Sequence, residues 1–179
     1  MVRLSFVPGE PGRYHATNEN TPMTIDELIE EMTSKDPPAS EADIVAFESE
    51  IGNQFPEDYR QFLAASNGGY IGGRFWFNDG KTGIDHIGGF RSESHFSLLS
   101  TREIYADRIP NELIWIMDDP FGNAICIGIT GETEGKIYLW DHEDEADPAE
   151  WDGSVANSDN VSVLASSFTD FVAGLAPIE

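Results

Sequence analysis

The chain has 179 residues, enough for one domain that buries roughly 70% of its unfolded surface without help from a disulfide or a metal. Hydrophobic residues at 40%, charged residues at 24% and eleven Phe with four Trp give ordinary globular composition and argue against wholesale disorder. The 33 acidic residues against 10 basic ones leave a net charge of −23, which repels phosphate backbones and anionic lipid. Nucleic-acid and membrane-surface binding are therefore disfavoured, and a basic partner protein is favoured.

Val2, Leu4 and Phe6 alternate with Arg3 and Ser5, predicting a short strand before the Pro8-Gly9 turn. Thr24-Ile-Asp-Glu27 reads as a capping box for a helix carrying Ile25, Leu28, Ile29 and Met32 on one side. Pro37-Pro38 then breaks the chain, so residues 1–38 are expected to form an N-terminal extension and 39–179 the main domain. Ser40 caps a helix over 40–51 that ends at Gly52, and Pro56 opens another over 56–67 with Tyr59, Phe62 and Leu63 inward.

After the glycine-rich stretch 68–73, strands are expected at 74–78, 84–87 and 95–99, and Ser100-Thr-Arg-Glu103 reads as a capping box opening a helix to Ile109. Segments 113–118, 124–130 and 136–141, rich in β-branched and aromatic residues, predict a meander. A strand at 161–164 and a helix over 167–175 with Phe168, Phe171, Val172 and Leu175 inward complete the order. The fold class expected is α+β, a largely antiparallel or mixed sheet with helices packed on one face. Phe62, Trp115, Ile127 and Phe171 are expected to share its core.

Charge is uneven along the chain. Twelve acidic residues and one basic residue lie between 19 and 58, and fifteen against one lie between 111 and 179. Such a composition throws up adjacent pairs like Asp118-Asp119, so spacing alone does not make an acid/base couple, and Asp119-Pro120 with Gly122-Asn123 reads as a turn. The acidic run 141–147 lacks the spacing of a calcium loop, and His142 has no second His or Cys at zinc-ligand spacing. Cys126, the single cysteine, lies mid-strand with no neighbour to activate it. No Gly-x-Ser-x-Gly elbow, Walker loop or dinucleotide fingerprint occurs. The chain is therefore expected to have no catalytic activity, no metal and no cofactor, and to be a soluble cytoplasmic monomer.

Four motifs point further. Glu48-x-x-Ile51-Gly-x-x-Phe55-Pro-x-Asp58-Tyr59-x-x-Phe62-Leu63-x-x-x-Asn67-Gly68-Gly69 resembles the opening of SUKH superfamily domains of the Smi–Knr type. Asp119-x-x-Gly122-Asn123, Lys136-Ile-Tyr-Leu-Trp-Asp-His-Glu143 and Ala165-Ser-Ser-Phe168-x-x-Phe171-x-x-x-Leu175 follow in the family's order, so the resemblance spans about residues 40–176. It implies an α+β fold that binds proteins without catalytic machinery, most often a bacterial immunity protein that neutralises a toxin, commonly a nuclease. The alternatives are a regulatory scaffold of the same family and, from outside it, a carboxylate-based hydrolase. Pro56, Tyr59, Asn67, Gly68, Gly69, Gly122 and Asn123 read as fold-formers.

The partner surface is expected on the acidic flank. Seven acidic residues and no basic one lie between Asp141 and Asp152. Asp141, Glu143, Asp144, Glu145, Asp147 and Glu150 are the candidates for steering a cationic toxin, and Trp151 is either an anchor or a core residue closing the loop.

Overall fold

The computed structural model describes residues 2–6, 14–18, 21–77, 80–90, 96–147 and 150–177; for 2–6 and 14–18 it describes the backbone. An antiparallel hairpin of β1 (Val2–Phe6) and β2 (Tyr14–Asn18) comes first. Helix α1 (Ile25–Glu31), β3 (Ser34–Lys35), α2 (Glu41–Ile51) and α3 (Glu57–Ala65) lead into β4 (Gly69–Phe77) and β5 (Thr82–Ile87). Helix α4 (Leu98–Ile104) precedes a meander of β6 (Leu113–Asp118), β7 (Ala124–Gly128) and β8 (Ile137–Trp140). The chain ends in β9 (Val161–Ala165), α5 (Phe168–Ala173) and β10 (Leu175–Pro177).

The fold is α+β. One antiparallel sheet runs β10-β4-β5-β6-β7-β8-β9, with β3 added beside β4. The long β4 is paired on one side by β3 at Tyr70 and Gly69 and by β10 at Phe75 to Phe77. Between β5 and β6 the pairing narrows to Ile87 opposite Met117, next to a hydrogen bond from the Gly88 amide to the Ile116 carbonyl. Every residue of β7 and β8 is buried, so both faces of these two strands are covered. Phe62, Trp115, Ile127 and Phe171 all lie in the core, as the periodicity requires.

The helical layer is held by rings. Phe90, Phe47, Phe55, Tyr59 and Phe168 form a chain of contacts with centroids 5.1–5.6 Å apart, running from the β5–α4 loop through α2 and α3 to α5. Phe77 of β4 stacks on Phe171 at 5.0 Å and ties α5 to the sheet. Such pairs add about 0.5–1.5 kcal/mol each beyond burial of area. Residues 23–35, before the Pro37-Pro38 break, join the same core: Leu28 is fully buried, α1 contacts α5, and β3 extends the sheet.

Two local expectations are corrected. The stretch assigned to a strand over 95–99 instead opens α4, with Leu98 buried; His95 lies outside the described residues. Ser97, not Ser100, is the N-cap. Its hydroxyl accepts from the Ser100 amide at 3.0 Å, which makes Ser100 the third residue of the helix, and the helix stops at Ile104 rather than Ile109.

Two core substitutions test this packing. The Tyr59 hydroxyl is fully buried and finds no hydrogen-bond partner among the described residues, and burial pushes its ionisation far upward. Tyr59→Phe removes that unpaired group and should gain about 1 kcal/mol, read as a rise of about 2–4 °C in melting temperature. Arg60→Ala should cost about 3 kcal/mol, because it strips the buried Glu48 carboxylate of its cation; chemical denaturation measures the loss.

Candidate functional site

The family-like motifs resolve into joints. Glu48 of α2 is buried and accepts the Phe55 amide at 2.8 Å while its other oxygen takes the Arg60 guanidinium. Asp58 accepts from the amide (2.8 Å) and hydroxyl (3.0 Å) of Thr169, fastening α3 to the start of α5. The Asn67 side-chain oxygen accepts the Phe90 amide at 2.8 Å. Gly68 (φ 79°) and Gly69 (φ 152°) sit where a β-carbon would lie 2.5 Å from the Ile87 carbonyl oxygen and 2.2 Å from that of Ser34. Only glycine fits either place. Asp119, buried, accepts from the amides of Phe121 and Asn123, the Asn123 side chain and the Thr82 hydroxyl, while Asn123 contacts His142 across the β8 exit. These residues form the fold, as the sequence suggests.

The acidic segment after β8 is built, not loose. The Asp141 backbone pairs with Asn160, and its carboxylate accepts the Glu143 amide at 2.9 Å. Arg108 grips Glu145 with two hydrogen bonds, at 2.7 and 2.8 Å, while its guanidinium lies over the Trp140 and Tyr105 rings. The guanidinium holds the Glu145 carboxyl below its ordinary range. Trp151 is half-buried, and its indole N–H donates to the Ser158 hydroxyl at 3.0 Å, closing the loop on itself. Glu143, Asp144, Asp147 and Glu150 are exposed. All seven residues expected to meet a partner lie in this segment: these four are exposed, and Asp141, Glu145 and Trp151 are half-buried.

Asp118 departs from the turn reading of the Asp118-Asp119 pair. Asp119 makes the turn; Asp118 is half-buried at the end of β6 and accepts the Trp115 indole N–H at 2.7 Å. Burial raises its proton affinity to about 6, opposed by the Trp115 hydrogen bond and assisted by the nearby Asp85 and Asp119 carboxylates. No pattern in the sequence marks it out, because the register that buries it depends on β5. Cys126 is buried in β7, and burial pushes the ionisation of its thiol far upward. Among the described residues no three His, Cys, Asp or Glu side chains come together as a metal site, and no helix is long and apolar enough to cross a membrane.

Comparison with known proteins adds two findings. The profile of the SMI1/KNR4 family (SUKH-1) matches residues 38–174. The SPbeta prophage-derived uncharacterized protein YokK of Bacillus subtilis (strain 168) is 30% identical over 155 residues, a match covering 74% of this chain and 73% of that protein.

Asp118 gives a pH test. Folded, its carboxyl keeps a proton up to about pH 6, whereas an ordinary Asp releases it at 3.8. Folding therefore favours the protonated form, and the stability linked to Asp118 falls as pH rises through that window. Asp118→Asn keeps an acceptor for Trp115 and removes the charge. It should raise the melting temperature at pH 7.5 by about 2–4 °C and leave it unchanged near pH 4, as calorimetry at the two values will read.

Proposed function

The chain belongs to the SMI1/KNR4 family (SUKH-1), and from that membership we propose that it is a non-catalytic immunity protein that binds and neutralises a cationic toxin, of nuclease type, made by the same cell or its neighbours. The observation that carries this reading is the distribution of charge. A surplus of 23 negative charges is far more than solubility asks of a small domain. The four arginines with described side chains each pair with an acid on another segment: Arg60 with Glu48, Arg74 with Glu31, Arg102 with Glu50 and Arg108 with Glu145. These arginines thus act as internal cross-links, and most of the described acids outside these pairs face outward.

A nuclease domain is basic because it holds a polyanion. An acidic inhibitor competes for the same surface and gains its association rate from the opposite field. The motif residues serve as joints, so the function asks nothing of them beyond the scaffold. The prophage origin of the Bacillus relative suits a protein that protects its carrier.

The test is reconstitution with the toxin encoded beside this chain in its genome. A 1:1 complex that abolishes toxin activity and restores growth supports the reading; stable binding without protection would favour the regulatory scaffold. Within such a complex, reversing Glu143 and Asp144 to Lys should slow association about tenfold at low salt and flatten its salt dependence, since steering acts over a Debye length of about 8 Å at physiological ionic strength. Stopped-flow mixing measures it, and an unchanged rate would move the binding face elsewhere.

A further inference from the structure

The turn between β6 and β7 carries a side chain that the fold leaves in water. Phe121 is 62% exposed, more than any other large apolar side chain among the described residues. The turn beneath it is firmly built: the buried Asp119 carboxylate accepts the Phe121 and Asn123 amides at 2.8 Å each, and Gly122 closes it at φ 91°. The Phe121 ring enters none of those bonds. It makes an edge contact with the Trp76 indole of β4, the centroids 5.4 Å apart.

The rest of the patch is held as closely. The Trp76 indole N–H donates to the Gly73 carbonyl at 3.0 Å, which lays the ring along its own strand. Two glycines make room for the rings: a β-carbon on Gly73 would lie 3.0 Å from Pro120, and one on Gly83 would lie 3.0 Å from the Trp76 indole and 3.1 Å from Pro120. Trp76 is half-buried and Pro120 exposed, so Pro120, Phe121 and Trp76 form one continuous apolar surface. A ring presented on a rigid turn loses little freedom when it binds, which is the property of an interface anchor.

The charge beside the patch selects its occupant. Asn123, two residues beyond Phe121, accepts the His142 amide at 3.2 Å and contacts the His142 ring nitrogen at 2.9 Å, so the acidic segment begins against this turn. Glu143 and Asp144 follow at once and are exposed. Lys81 of the β4–β5 turn donates to the Ser162 hydroxyl of β9 at 3.4 Å. We propose that Phe121, with Trp76 and Pro120, is the apolar anchor of a protein interface whose rim is the acidic segment, and that it enters an apolar recess ringed by lysine or arginine on a cationic partner. An apolar centre inside a polar rim is the usual build of such contacts. A second copy of this chain is a poor occupant, because each copy brings 23 surplus negative charges. The inference rests on the toxin reading for the partner's identity, but the anchor is tested without a toxin.

The experiment titrates the full chain with three short peptides, read by NMR at the Trp76 indole N–H: acetyl-Lys-Leu-Lys-amide, its glycine-centred analogue, and acetyl-Glu-Leu-Glu-amide. The expected result is saturable movement with the first, binding at least about threefold weaker with the second, and none with the third. Phe121→Ala should weaken the first peptide at least about fivefold, and Phe121→Leu, which keeps an apolar knob, should restore most of that loss. Val45→Ala, which trims an exposed apolar side chain on α2, should change it less than about twofold. In the toxin complex, Phe121→Ala should speed dissociation at least about tenfold and leave association within about twofold, the opposite of the Glu143 and Asp144 reversal. Absence of saturable movement, equal binding of all three peptides, or equal loss in Phe121→Ala and Val45→Ala overturns the proposal. A concentration-dependent dimer that Phe121→Ala abolishes also overturns it, by assigning the patch to a second copy. A toxin complex indifferent to Phe121→Ala overturns it while leaving the immunity reading standing. Peptide binding as expected, with no toxin neutralised, overturns the immunity reading and keeps the anchor.

Discussion

Glu48 sits almost out of water at the corner between α2 and α3, and the helical layer depends on how it is satisfied. One carboxylate oxygen fixes the Phe55 amide, and with it the direction in which the chain leaves the α2–α3 turn; the other takes Arg60 from the following helix. That geometry seats Phe55 between Phe47 and Tyr59, and Tyr59 in turn reaches Phe168 of α5. A charge this deep is a hazard on its own and a constraint when paired. It permits one angle between the helices, and the ring-to-ring contacts need that angle.

The other joints obey the same logic at smaller scale. Asp58 and Asp119 each collect several donors, and Gly68 and Gly69 remove side chains where β3, β4 and the β5–α4 loop press together. Residues that must satisfy neighbours on two or three elements have no freedom to recognise a partner. Under the function proposed above, recognition falls to side chains that touch water, the acids after β8 among them.

This division explains what was legible in the sequence. The capping box at Thr24 and the cap at Ser40 depend on bonds across three residues, and both form where the spacing predicts; at Ser40 the Asp43 side chain also bonds back, completing a box the sequence reading did not expect. The meander and the closing helix follow from local periodicity, and their ends shift by only a residue or two. Ser100 misled because Ser-x-x-Glu fits the capping pattern equally well, and only the burial of Leu98 selects Ser97 instead. β3 and β10 span two and three residues, and β4 alone makes them strands. The acidic loop could be recognised by charge, but not that Glu145 answers Arg108 from 37 residues away. The ring contacts of Tyr70, His86 and Phe96 were not legible, since the three meet only once β4, β5 and the residues before α4 are assembled.

The charge of the chain follows from the same architecture. Each described arginine closes a gap between segments, α2 to α3, α1 to β4, α2 to α4, and the turn after α4 to the acidic loop. Such pairs add little when exposed, and the Arg74, Arg102 and Arg108 side chains stay more than a third open to water, so the pairs neutralise charge without burying it. The remaining acids repel one another and weaken the folded state, most plainly at Asp118, where burial and two neighbouring carboxylates act together.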